Sequence, residues 1–591
     1  QLDFALPMAE FVARNTWVED WDNNGLRLYV RLRKGTNVAA FDAKLAAILR
    51  ANKPEGYATA FLQPFGEQHL YGQFENGQVV GGRIEYVRAF AIAAGLILLL
   101  ACINFMNLAT ARAAMRAREV GVRKAIGAAR AALVGQFLGE AVLVALLAAV
   151  VAAGLVVLAL PAFGTLTGKP VEAGALGAGA LWPLFAIAAG AGLLAGSYPA
   201  LYLSGFGVAR VLRGAVQPRG GAGLRKALIV FQFAMSMLLL VATSTVHRQV
   251  GFIRSKHLGL NRAGVVSLPL EGPMLARYDA LRQELLRQPG IEHVTTADQN
   301  PLELGSSTRN PTWDGKEPGT ELNFYIVSAS HGFVEAMQMG LAAGRSFDPA
   351  RPADTLGFLV NETAVRAMGL KDPIGARLSF WERDGTIIGV VKDFHMASLD
   401  APIEPTIIRL TPPQGRLFVR LDPVRAEQAL AGLRAVQQRF NPGHPFEAEF
   451  LDDSFERMYV SERRVGALAN VFAGLAVFIA CLGLFGLAAF TAERRTKEVG
   501  IRKVLGASVP RLVGLLSKDF VALVALAFVL AAPVAYWLGA RWLEGFTYRV
   551  ALGAGPFVLA GLVALGLALV AVSSQALRAA TADPVKALRT E

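Results

Sequence analysis

Seven long apolar stretches constrain this chain more than any other feature, because each is long enough to cross a hydrocarbon layer of ~30 Å and too long for an ordinary core helix. They fall near residues 88–110, 133–160, 181–203, 227–247, 466–490, 512–539 and 554–574. The run AVLVALLAAVVAAGLVVLAL at 141–160 carries no charge at all. Only 18% of the 591 residues are charged and 53% are hydrophobic, whereas a soluble chain carries roughly a quarter charged. Apolar residues gathered in blocks, rather than spread evenly, predict a polytopic α-helical membrane protein.

The charges orient these spans. The loop between the first two holds Arg112, Arg116, Arg118, Arg123, Lys124 and Arg130 against Glu119, a net +5. The linker between the third and fourth is also +5, the loop after the fifth is +4, and the tail is +1. Together they exceed the whole-chain net charge of +13, and they lie on alternate sides of successive spans. The positive-inside rule puts them in the cytoplasm and places residues 1–87 and 248–465 outside. A nucleic-acid partner is not expected, since such a protein concentrates Lys and Arg on a folded soluble domain and residues 249–465 sum to about −3. Cys102 and Cys481 both fall inside spans and read as small packing residues.

The chain repeats itself. EVGVRKAIGA at 119–128 returns as EVGIRKVLGA at 498–507; Cys102 and Cys481, and Leu133-Val134-Gly135 and Leu512-Val513-Gly514, share the same offset of 379 positions. Gapless register across a span, its loop and the next span indicates internal duplication. After a short indel, VARVLRG at 208–214 aligns with VKALRT at 585–590. The second copy reads as one span, an outer region and three spans. The first copy has three matching spans and only 87 residues ahead of them. An eighth span and roughly 130 residues of outer domain are expected upstream of it.

The organisation expected is therefore a partial outer domain at 1–87 and three spans over 88–203 with a cytoplasmic loop at 111–132. A cytoplasmic linker at 204–226, a span at 227–247 and an α/β outer domain at 248–465 follow. Three spans over 466–575, with a cytoplasmic loop at 491–511, lead to a cytoplasmic tail at 576–591. In the outer regions TLGFLVNET and GTIIGVVKDF read as strands, and YDALRQELLRQ and AEQALAGLRAVQQRF as amphipathic helices. LRLYVRLRKG and FDAKLAAILRA, before the first span, read as a strand and a helix.

The repeated phrase is more specific than a positive loop requires. Glu119 to Arg123 and Glu498 to Arg502 are acid-to-base pairs at i,i+4 in the favourable order, worth about 0.3 kcal/mol each. Gly127 and Gly506 are natural stops. Each phrase predicts a short amphipathic helix starting where a span ends, suited to a lipid surface or a partner's groove.

Together with NFMNLATARAAMRAREVGVRKAIGA, FLVNETAVRAMGL, DPIGARL, IIGVVKDFH and the closing ADPVKALRTE, this phrase resembles the MacB/FtsX-like family of ABC transporter permeases. It is most similar to the long subfamily with two fused four-span modules. The resemblance implies α/β MacB-like core domains outside the membrane. It also implies a cytoplasmic ABC ATPase, two copies for one chain, docking on coupling helices formed by Glu119, Val120, Gly121, Val122, Arg123, Lys124 and Gly127 and by Glu498, Val499, Gly500, Ile501, Arg502, Lys503 and Gly506. ATP and Mg would be bound by that subunit, with no cofactor in this chain, whose job would be export, extraction or mechanotransmission; a periplasmic adaptor is a further partner the family admits. The alternative is a membrane-anchored sensor or scaffold whose outer domain binds a peptide, lipoprotein or cell-wall enzyme.

No site of other chemistry competes. GTLTGKP at 164–170 is one residue short of a phosphate-binding loop and lacks its Ser/Thr. The seven histidines show no ligand spacing, and KDFH at 392–395 reads as a turn after a strand. Asn104, Asn107, Gln232 and Glu140 lie near span ends, where interfacial capping or interhelical hydrogen bonding is the expected role.

Overall fold

The computed structural model describes the chain apart from residues 1–6, 20, 22, 24, 55–58, 76, 169–176, 205–220, 257, 303, 304, 310, 382, 397–401, 495, 506 and 582–591. The segments VARVLRG and VKALRT fall wholly among these and lie outside the described residues. Two units are distinguishable, Gln1–Leu96 and Ile97–Glu591.

The first unit holds α1 (Met8–Arg14), α2 (Val38–Asn52), a hairpin of β1 (Gln73–Glu75) and β2 (Gln78–Gly81), and the start of α3 (Ile84–Ala125). The Asn37 side chain caps α2 by accepting from Ala40 N at 3.2 Å. The strand expected at LRLYVRLRKG does not form; Leu28 and Tyr29 are 84% and 66% exposed in unpaired chain. A similar pattern, RLFVRL at Arg416–Leu421, is a strand because neighbours flank it on both sides. Residues 27–33 have the side chains for a strand but no ladder among the described residues to join.

In the second unit α3 is followed by α4 (Arg130–Thr167), α5 (Ala178–Ser204) and α6 (Gly221–Ser255). The outer domain contains β3 (Val265–Pro269), α7 (Tyr278–Leu286), β4 (Ile291–Ala297), β5 (Ser307–Thr308), β6 (Thr312–Trp313), β7 (Phe324–Ala329) and β8 (Leu341–Gly344). It continues with β9 (Gly357–Asn361), α8 (Glu362–Met368), β10 (Arg377–Phe380), β11 (Arg383–Val391), β12 (Thr406–Leu410), β13 (Arg416–Leu421), α9 (Ala426–Phe440), β14 (Glu449–Phe450) and α10 (Leu451–Met458). Then come α11 (Val460–Arg494), α12 (Thr496–Val504), α13 (Val509–Leu543) and α14 (Gly555–Thr581). Among the described residues seven helices, α3 to α6, α11, α13 and α14, are long and apolar enough to span a membrane.

The outer strands make one mixed twelve-stranded sheet in the order β14-β3-β13-β4-β7-β12-β9-β11-β10-β6, with β5 on β7 and β8 on β11. Helices α7 and α9 cover the β3-β13-β4 lobe over Leu281, Leu285, Leu433 and Val436. Helix α8 lies in the other lobe, whose core includes Phe358, Val360 and Ile407. The lobes meet where β4 and β7 share a single ladder pair, Ala297 with Ala329.

A third core joins this domain to the membrane helices. It gathers Ile253 of α6, Phe394 and Met396 after β11, Phe418 of β13, and Leu451, Phe455 and Tyr459 around α10, with Phe546 from the α13–α14 loop packed against it. In the membrane, α6, α11, α13 and α14 close around alanines such as Ala480, Ala527, Ala531, Ala564 and Ala568, residues small enough for near backbone contact. Gln232, Ser236 and Thr243, on one face of α6, donate to the α11 carbonyls of Ile479, Ala476 and Ala469 at 3.2 to 3.3 Å. The interhelical role expected for Gln232 is thus observed.

Candidate functional site

The two repeated phrases occupy equivalent ends of α3 and α11–α12. Nothing between Arg112 and Ala125 breaks a helix, so the first phrase continues α3 without interruption instead of starting a new short helix. Val120 and Gly121 face inward, Val120 being 2% exposed, while Val122 and Ile126 are 51% and 80% exposed. Glu119 pairs with Arg123 at 2.7 Å. Gly127, at φ +98°, ends the helix in a left-handed turn that only glycine enters cheaply. There Ala128 N donates to Arg123 O at 3.0 Å.

The second phrase repeats this geometry. Glu498 pairs with Arg502 at 2.8 Å, and Ala507 N donates to Arg502 O at 2.9 Å. Ile501, Val504 and Leu505 are 51%, 65% and 79% exposed. Val499, Gly500 and Lys503 lie on α12; Gly506 lies outside the described residues. Each turn thus presents exposed aliphatic side chains beside a Glu–Arg pair. Exposed i,i+4 pairs add only about 0.3–0.5 kcal/mol, so their effect is to hold the guanidinium in place.

The bracing behind the two turns differs. In the first copy Arg123 donates to Gln136 Oε1 at 2.9 Å, Gln136 to Glu140 at 3.0 Å, and Arg116 to Glu140 at 2.7 Å. Lys124 Nζ donates to Ser204 O at 2.5 Å, and Arg130 to Ser204 Oγ at 3.3 Å. This network ties α3 to α4 and to the end of α5. In the second copy Leu515 occupies the position of Gln136 and cannot relay the bond. The repeat pattern located both turns; the Gln136 and Ser204 braces carried no local signal.

The remaining residues singled out in the sequence resolve as structure. His395 follows β11, as read, and is buried there: it is 4% exposed, its N donates to Leu258 O at 2.8 Å, and its ring meets Tyr548 edge-on at 5.1 Å. Among the described residues no three His, Cys, Asp or Glu side chains gather as metal ligands. Gly168 caps α4 in a left-handed conformation, while Lys169 and Pro170 lie outside the described residues. Asn107 is fully buried, and neither of its amide atoms, nor Asn104 Oδ1, has a hydrogen-bond partner among the described residues.

A repeated three-span unit, a twelve-stranded α/β domain inserted between spans, and paired cationic turns at equivalent helix ends define a duplicated multi-pass membrane protein. Residues 91–208 and 470–584 each match the model of the FtsX-like permease C-terminal family. The chain thus carries the FtsX-like permease C-terminal domain twice. No curated protein sequence matches it. Among solved structures it is similar to the periplasmic region of MacB from Actinobacillus actinomycetemcomitans, at 14% identity over 35% of this chain and 97% of that one, TM-score 0.25. The extracellular domain of the noncanonic ABC-type transporter YknZ from Gram-positive bacteria matches at 10% identity over 31% and 97%, TM-score 0.23. A domain of a permease protein from Porphyromonas gingivalis matches at 18% over 32% and 90%, TM-score 0.23.

Proposed function

We propose that this chain is the transmembrane subunit of an ABC complex, moved by a separate ATPase that docks in two copies on Glu119–Gly127 and Glu498–Gly506 and alone binds ATP and Mg. The cationic turns, the linker at 204–226 and the tail then face the cytoplasm, and the β-sheet domain lies outside. ATP-driven movement of the helices displaces the outer domain for export, extraction or mechanotransmission. The observation that carries this reading is the doubling of one exposed surface: Val122, Ile126 and the Glu119–Arg123 pair in one copy, Ile501, Val504, Leu505 and the Glu498–Arg502 pair in the other.

The test is co-purification of the full chain with the ABC ATPase encoded beside it, and ATP turnover of the complex in nanodiscs. Reversing Arg123, Lys124, Arg502 and Lys503 to Glu should weaken association at least tenfold, with membrane insertion unchanged. A complex indifferent to these changes overturns the reading. So does nucleotide hydrolysis by the chain alone, or labelling of an Ala507→Cys variant by an impermeant thiol reagent added outside intact cells.

A further inference from the structure

A cavity of about 460 Å³ opens in the outer domain beside the single ladder pair that joins its lobes. That volume falls within the ~300–1,000 Å³ typical of small-molecule sites. The cavity lies at the carboxyl ends of β7 and β12, which run parallel. The residues just after them, Ser330 with His331 and Thr411 with Pro412 and Pro413, form its walls. Crevices at the carboxyl ends of adjacent parallel strands, where the strand order switches, are where open α/β sheets place ligands.

Its lining has two characters. Leu410, Pro349, Pro412 and Pro413 supply apolar wall. The charged and titratable groups are Arg282, Arg383 and His331, with Asp279 exposed on the rim. Arg282 Nε donates to Val294 O at 3.3 Å and Arg383 Nη1 to Leu410 O at 3.2 Å. Each guanidinium is thus anchored by one N–H, with the rest of its fork available. Arg409, half-buried behind the site, lies near enough to Arg383 for the two charges to repel, and burial followed by that repulsion lowers its pKa.

We infer that this cavity binds a small amphiphilic anion, a carboxylate on a compact apolar body, with Arg282 and Arg383 pairing the carboxylate and Leu410 and the prolines covering the apolar part. A carboxylate accepts several donors at once and fits the guanidinium fork. The peptide C-terminus and the free fatty acid share this chemistry. The site does not depend on how an ATPase docks.

The experiment uses the full chain in nanodiscs and two water-soluble probes, N-acetyl-Leu-Leu and hexanoate, each against its neutral amide, read by saturation-transfer NMR and calorimetric titration. At least one acid should bind at least tenfold more tightly than its amide. Binding of the peptide alone, of hexanoate alone, or of both identifies the source of the carboxylate and supports the site. Arg383→Gln and Arg282→Gln should each weaken the preferred acid at least fivefold; the two arginines stand on different elements, so either variant remains informative should the other fail to fold. Equal binding of acid and amide, no binding of either acid, or affinities unchanged in the folded variants would overturn the proposal.

Discussion

His395 shows how far burial can push one residue. The ring is held against Tyr548, with Lys256 and Asp393 the charged groups acting on it. Burial first, then Lys256, depress its pKa to about 4, with Asp393 acting weakly the other way. The unfolded chain takes up this proton near pH 6.5 while the folded one refuses it until about 4. Stability contributed by the neutral ring is therefore complete above pH 6.5 and is lost as pH falls toward 4. One pKa unit is worth about 1.4 kcal/mol, so unfolding of the full chain at pH 5 should come several degrees below that at pH 7. His395→Gln should flatten the difference; an unchanged pH profile in that variant would refute the assignment. Asp354, 1% exposed, accepts both Arg345 nitrogens at 2.6 Å and Asp348 N at 2.8 Å. Asp354→Asn should cost about 2–4 kcal/mol in denaturant unfolding, since it strips the charge from a buried carboxylate with three donors. Neither role was legible in sequence. KDFH looked like a turn because polar residues after a strand usually make one, and only the loop carrying Tyr548, some 150 positions later, buries it.

At the scale of elements, the duplicated helices α3 and α11 meet where Asn104 faces its own counterpart, Gly483, and Gly486 faces Leu108, the neighbour of its counterpart. A Cβ added to Gly483 would lie 2.6 Å from Asn104 Oδ1, and one added to Gly486 would lie 2.4 Å from Leu108 Cδ2. Asn104 and Gly483 stand 379 positions apart, as do Asn107 and Gly486. The packing thus resembles a self-complementary dimer contact, with asparagine on one side and glycine on the other. Gly483→Asn should overpack the crossing and cost about 1–3 kcal/mol. Adding Asn104→Gly should recover most of that loss, because it moves the amide to the other helix; thermal unfolding of wild type, singles and double in nanodiscs measures the cycle. No recovery would mean the two positions do not oppose each other. The offset of 379 was readable from the sequence, as were the spans and outer helices, because repetition and 3.6-residue periodicity are local signals. The crossing was not, since periodicity states which face is apolar and not which helix covers it. LRLYVRLRKG failed for a related reason: strand identity depends on partners.

At the scale of the whole second unit, the outer domain is fastened to the membrane helices by more than the chain connections. Gln249 of α6 is fully buried, donates to Tyr548 O at 2.7 Å and accepts from Val550 N at 2.9 Å, so α6 and the α13–α14 loop share a two-bond clamp. Lys256 stands 2.6 Å above the Tyr548 ring, and burial lowers its pKa. Phe546 enters the core that also holds Ile253, Phe394 and Phe455. A displacement of α6 must therefore carry the loop and the base of the sheet with it, because a packed core transmits strain instead of absorbing it. Breaking the clamp should free the loop and leave both neighbours folded. Gln249→Leu removes both bonds at nearly constant volume and strands Tyr548 O and Val550 N, lowering the free energy of local opening by about 1–3 kcal/mol. Amide exchange at 548–550 in the full chain should then accelerate about tenfold or more, while β13, at the centre of its lobe, keeps its protection. Acceleration in β13 as well would show that the clamp holds the whole domain together. Unchanged exchange at 548–550 would show that the aromatic contacts alone secure the loop, leaving Gln249 outside the path by which helix movement reaches the outer sheet.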